Sequence, residues 1–127
     1  DKYTYSTNTV AAGTVLGLAR YALAATGNST IGIFGGGNSG SATTYTDKYT
    51  YSTDTVAAGT VLGQARWALA ATGNSTLGVF GGGYNGSTIY NYTDKYTYST
   101  DTVASGTLLG QARYTLAACS STANGLS

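Results

Sequence analysis

The sequence predicts an all-β repeat array, and three observations carry that prediction. The stretch from Asp47 to Gly83 (DKYTYSTDTVAAGTVLGQARWALAATGNSTLGVFGGG) is written almost three times: residues 1–37 match it at 32 of 37 positions, and a third copy from Asp94 matches strongly to Ala118 and then drifts. Composition favours pleated strands, with 12 Tyr and abundant Thr and Val, 19 Gly to supply turns, and no Glu to support helices. Finally, Asp1, Asp47 and Asp94 are equivalent, so the unit is 46 and then 47 residues long, which suits four short strands and four turns.

The repeats are 1–46, 47–93 and a truncated 94–127. One unit is too small to bury its own apolar surface, so the copies must stack, and the two end copies need something to cover them. Within the unit, Lys48 to Thr53 alternates large and small residues with period two, the mark of a strand with one buried face. Thr53 and Asp54 make the turn. Thr55 to Leu62 is the next strand, broken by Gly59 and so short or bulged. A third strand follows Arg66, from Trp67 to Thr72, and its small residues imply a close neighbour. Gly73-Asn74 reads as a two-residue hairpin turn in which both residues take positive φ. The fourth strand, Thr76 to Phe80, ends in three glycines. The alanine-rich stretch Val10 to Ala25 could also be drawn as a helix, but Gly13 and Gly17 would each cost it about 1 kcal/mol and it lacks a capping signal.

These residues resemble the kelch family of β-propellers. The family's strand pattern Tyr-Asp-Pro-x-Thr-Asn-x-Trp has counterparts in Tyr3, Thr7, Asn8 and Val10, and again from Tyr49 and Tyr96. Its di-glycine after an apolar strand is matched by Ile33-Phe34-Gly35-Gly36 and Val79-Phe80-Gly81-Gly82, and its arginine by Arg20, Arg66 and Arg113. The departures are Val10, Val56 and Val103 in place of the blade tryptophan, and Tyr5 where proline is common. The resemblance implies a propeller of four-stranded blades, each built from the third and fourth strands of one repeat and the first and second of the next. It also implies that the arginines brace adjacent blades.

On that plan the chain holds about three blade-equivalents, too few to close a ring. Gly125 aligns with Gly78 and Leu126 with Val79, so the last copy ends inside a strand. A homodimer of six blades is the preferred expectation; an excerpt of a longer propeller and an open β-solenoid or fibre are the alternatives. The absence of Met is what a processed chain, or part of a longer one, would show. Near identity of the copies also fits a recently amplified or engineered array with no evolved ligand.

The available chemistry is thin. There is no His, no Glu and no metal-ligand cluster, so we expect neither an enzyme nor a cofactor. In particular, the copper chemistry of galactose oxidase, which shares the kelch-type propeller, has no histidine to carry it. The five Asp residues read as turn caps or partners of neighbouring Lys. A net charge of +1 with only 9% charged residues gives no field for nucleic acid or an anionic membrane, and no apolar run spans a bilayer. Cys119 has no second cysteine to pair with and reads as a small buried side chain. Asn28, Asn74, Asn85 and Asn91 lie in glycosylation sequons, the first two at expected tight turns. Compartment stays open, with the cell exterior or a virion surface slightly favoured by composition.

One internal contrast points to function. The two full copies differ completely only after the glycines, NSGSATTYT (38–46) against YNGSTIYNYT (84–93). In an up-and-down blade this loop emerges beside the link that carries the arginine. Tyr45, Tyr84, Tyr90 and Tyr92 with Arg20, Arg66 and Arg113 therefore form the candidate ligand-binding set, suited to a glycan or a peptide because tyrosine combines apolar area with a polar tip and arginine offers a planar fork. The expected function is a non-catalytic binding or scaffold module, with a structural fibre subunit as the alternative.

Overall fold

The computed structural model describes residues 1–120 and is all-β, with ten strands in three antiparallel sheets. Strands β1 (Lys2–Thr4) and β2 (Thr9–Ala11) form a two-stranded sheet. Strands β3 (Ala24–Gly27), β4 (Ile31–Gly35), β5 (Thr46–Thr50) and β6 (Thr55–Ala58) form a four-stranded sheet in chain order. Strands β7 (Ala70–Gly73), β8 (Leu77–Gly81), β9 (Thr93–Thr97) and β10 (Thr102–Ser105) repeat that arrangement. Each four-stranded sheet thus straddles a repeat boundary. Val10 to Ala25 contains β2, irregular backbone and the start of β3, with no helix. The aligned end of the third copy at Gly125 and Leu126 lies outside the described residues.

Registers repeat along with the sequence. Lys2 pairs with Ala11 as Lys48 pairs with Ala57, and Phe34 pairs with Asp47 as Phe80 pairs with Asp94. The core collects Ile33, Leu62, Leu69, Phe80, Tyr96 and Tyr98, where the two four-stranded sheets face each other. Small residues permit that approach: Thr26 of β3 lies against Gly78 of β8, and its hydroxyl is 3.0 Å from the Tyr98 hydroxyl.

Two expected details differ. The third strand starts at Ala70 rather than Trp67, because Ala68 sits at φ +53, outside the β region, and its N–H leaves the sheet to donate to the Ala22 carbonyl (2.8 Å). Ala22 and Thr115, the equivalent residues, share that conformation. The β7–β8 turn is also not a positive-φ pair at Gly73-Asn74. Asn74 Oδ1 instead accepts from the N–H groups of Thr76 (2.8 Å) and Leu77 (2.9 Å), so a side chain closes the turn, and Asn28 does the same before β4.

Candidate ligand-binding face

Charged pairs join one repeat to the next. Arg66 Nη2 lies 2.8 Å from Asp94 Oδ2 and also donates to the Phe80 carbonyl (3.2 Å). One joint earlier, Arg20 Nη1 lies 2.7 Å from Asp47 Oδ2, out of hydrogen-bonding alignment, while Nη2 donates to the Phe34 carbonyl (3.0 Å). Both guanidinium side chains are sealed from solvent. Burial pushes the Arg66 pKa down and the Asp94 carboxylate opposes it; a guanidinium in such a pair stays charged. Arg20 and Arg66 therefore do not belong to the ligand-facing set, since they are turned inward against carboxylates. Arg113, in the last repeat, is exposed.

A second pair crosses each joint nearer the surface. Lys2 Nζ reaches Asp54 Oδ2 at 3.0 Å, and Lys48 Nζ reaches Asp101 Oδ2 at 2.5 Å. The lysine partners of these two turn aspartates come from the preceding repeat, while Asp47 and Asp94, which stand next to Lys48 and Lys95 in sequence, pair with Arg20 and Arg66 instead. Each aspartate sits at φ +52 and binds the tyrosine of its own hairpin, Tyr49 for Asp54 and Tyr96 for Asp101. The Tyr49 hydroxyl, Lys2 and the Thr14 amide hold the Asp54 carboxyl at about 2, against an ordinary 3.8. For Asp101 burial pushes upward, but hydrogen bonds from Lys48, Tyr96 and the Thr60 amide outweigh it and the pKa is lowered.

The variable loops lie beside the arginine-bearing links. Arg66 N donates to the Thr43 carbonyl (3.3 Å) and Arg113 N to the Tyr90 carbonyl (3.1 Å). Next to each arginine stands an aromatic residue whose backbone pairs with the first loop residue: Tyr21 with Asn38, and Trp67 with Tyr84 (2.9 and 3.0 Å). Successive links are joined by Ala68 N to Ala22 O (2.8 Å) and Thr115 N to Ala68 O (2.7 Å), which sets the aromatic residues at close spacing. The outcome is a row. Tyr21 and Trp67 ring centres are 6.4 Å apart, Trp67 and Tyr84 5.4 Å, and Tyr84 and Tyr114 5.5 Å.

Neither the family models nor the curated proteins compared with this chain give a match.

Of the expected tyrosines, Tyr84 joins the row. Tyr90 and Tyr92 form a separate stacked pair at 5.3 Å, with Asn85 Nδ2 donating to the Tyr90 hydroxyl (2.7 Å). Tyr45 is exposed and has no ring partner among the described residues. Tyr21, Trp67 and Tyr114 were not among the expected site residues, although an aromatic residue directly after the arginine in every copy was the available signal. The four sequon asparagines all have structural work: Asn28, Asn74 and Asn85 close turns, and Asn91 Nδ2 donates to the Leu109 carbonyl (3.2 Å). Cys119, expected to be buried, is exposed.

Proposed function

We propose that the sheets are blades of a kelch-like β-propeller that acts as a non-catalytic binding module, taking an extended neutral glycan along the row Tyr21, Trp67, Tyr84 and Tyr114. The observation that carries this reading is the row itself: one repeat position supplies an aromatic ring in all three copies, with Tyr21 and Trp67 6.4 Å apart and the loop residue Tyr84 bridging Trp67 and Tyr114 at 5.4 and 5.5 Å. Aromatic faces offer apolar area to the C–H faces of sugar rings, and their polar tips stay wet. A neutral ligand fits because the arginines of the first two joints are committed to Asp47 and Asp94 inside the fold. The up-and-down strand order and the sheets that straddle repeat boundaries support the blade reading. A binding role rather than catalysis follows from a sequence with no His and no Glu.

Trp67 is the only tryptophan and stands inside the row, so its fluorescence reports occupancy directly. Neutral oligosaccharides of several linkages should be screened on an array and the hits titrated against Trp67 emission. A saturable change that is lost in Tyr84→Ala is expected. Absence of any glycan hit, or binding that leaves Trp67 emission unmoved, would overturn the reading; capture of peptides alone would replace the ligand class.

A further inference from the structure

We propose that the joint between the second and third repeats holds a further binding site, a pocket of about 250 Å³ beside Asp94 that takes one neutral sugar ring, as a free monosaccharide or as the end residue of a longer glycan. The site stands whether or not the aromatic row binds a chain of sugars.

Three parts of the fold meet at Asp94. Ser105 of β10 is its register partner, so the two side chains share one face of the sheet. Gly63, from the link after β6, closes on the carboxylate: a Cβ there would stand 3.0 Å from Asp94 Oδ1. Tyr92 and Gln64 complete the wall, with Leu108 as its apolar edge. Tyr92 is 42% exposed, and stacking on Tyr90 at 5.3 Å holds its ring in place. Gln64 is exposed, and its side chain has no hydrogen bond among the described residues.

Comparison between the repeats points at the same place. Residues 1–37 and 47–83 differ at five positions, and only one of the five, Leu18 against Gln64, exchanges an apolar side chain for a polar one. The third repeat then brings Ser105 where the second has Ala58, and Leu108 where it has Val61. At the preceding joint Leu18 and Ala58 are the equivalents about Asp47, with Ala58 again the register partner of the aspartate. The second joint thus keeps the backbone plan and puts an amide and a hydroxyl in place of two apolar side chains. Its openness belongs to the position, since Ala58 is exposed and Val61 is 48% exposed with the third repeat in place.

The chemistry selects a neutral, hydroxyl-rich ring. Asp94 Oδ2 is 2.8 Å from Arg66 Nη2, so the carboxylate is already balanced and offers no net charge to a cation. An ionised carboxylate only accepts, which leaves Oδ1 to take ring hydroxyl protons. The Gln64 amide both donates and accepts, the Ser105 hydroxyl does either, and the Tyr92 ring offers a platform to the C–H face of a sugar. The volume lies below the roughly 300 Å³ at which pockets for drug-sized ligands begin, so the occupant is a single ring.

The test uses the whole chain and free sugars. Isotope-labelled protein is titrated with glucose, galactose, mannose and N-acetylglucosamine while the Gln64 side-chain amide and the Gly63 and Gly106 backbone amides are followed by magnetic resonance. We expect at least one sugar to shift these signals saturably. Gln64→Leu should weaken its Kd about two- to tenfold, the loss of one hydrogen bond, and adding Ser105→Ala should bring the loss to at least about tenfold. Both substitutions install residues that the preceding joint already carries, Leu18 and Ala58, so the variants keep the fold, as an unchanged urea midpoint will show. Tyr84→Asn alters the row alone and should leave monosaccharide binding as it was. An oligosaccharide that needs both Gln64 and Tyr84 would support the pocket as the seat of an end residue, and a monosaccharide that needs Gln64 alone would support it as a site for free sugar. Signals that no sugar moves, or a double variant that binds as tightly as the parent, would overturn the proposal. Monosaccharide binding lost in Tyr84→Asn but kept in Gln64→Leu would also overturn it, by placing the ring on the row. Failure of every oligosaccharide on the array, with the pocket titration intact, would sink only the row.

Discussion

Arg66 and Asp94 meet at 2.8 Å across the joint between the second and third repeats, 28 residues apart in sequence, with both side chains almost wholly out of solvent. A buried pair of this kind is costly to halve and cheap to replace whole. Arg66→Met strands Asp94 in the interior and should cost about 3–5 kcal/mol in urea unfolding, whereas Arg66→Met with Asp94→Leu should recover most of that loss. A single variant as stable as the parent would show that the pair does not hold the joint.

Acid should loosen the surface pairs first. Asp54 binds its proton at about 2 in the folded chain and near 3.8 when unfolded, and Asp101 is lowered as well. Between those values the unfolded chain holds more protons, so stability is fully present above about pH 4 and falls as pH drops toward 2. Asp54→Asn with Asp101→Asn should flatten this acid limb. The first repeat shows that the turn tolerates it, since Asn8 takes the same φ of 52 and accepts from Tyr3. An unchanged pH profile in the double variant would rule these carboxylates out as the acid-sensitive groups.

Much of this architecture was written in the sequence because the repeat and the Tyr-Thr alternation are local signals. The β5, β6 and β8 strands fall within a few residues of where patterning puts them. What was not legible depends on contacts between repeats. Trp67 looks like strand until Ala68 is drawn to φ +53 by a bond to a residue 46 positions earlier. Arg20 and Arg66 entered the candidate ligand set from their place beside the loops, while the kelch resemblance implied a bracing role; which aspartate, 27 or 28 residues onward, takes each of them inside is a contact between repeats that no local pattern spells out. The expectation for Cys119 fails in the same way. Its equivalents Thr26 and Thr72 reach the Tyr98 hydroxyl and the Cys119 carbonyl, whereas Cys119 itself is exposed, and no pattern local to Cys119 marks that difference.

Close approach of the two four-stranded sheets should be intolerant of any side chain at Gly78. A Cβ there would run into Thr26 Cγ2 and stand 2.9 Å from the Tyr98 hydroxyl, so Gly78→Val should destabilise the fold by about 2 kcal/mol or more. Gly110→Ala is the matched control, because a Cβ at Gly110 meets nothing within 4 Å. Equal denaturation midpoints for the two variants would mean that the sheets can separate at no cost.

Tyr84 offers a way to separate recognition from folding. It stands in the aromatic row between Trp67 and Tyr114, yet the equivalent position of the first repeat is Asn38, which makes the same backbone pairing with Tyr21. Tyr84→Asn therefore copies a residue that this fold already accommodates, and its stability should stay within about 1 kcal/mol of the parent, the loss being that of two ring contacts. Its effect on glycan binding should be larger in proportion: removing one stacking platform of the row costs about 1–1.5 kcal/mol, or roughly tenfold in Kd followed by Trp67 emission. Tyr45→Ser supplies the comparison, since Tyr45 is exposed but outside the row and should leave both quantities unchanged. If Tyr45→Ser weakened binding as much as Tyr84→Asn, the ligand would lie across the whole loop face rather than along the row.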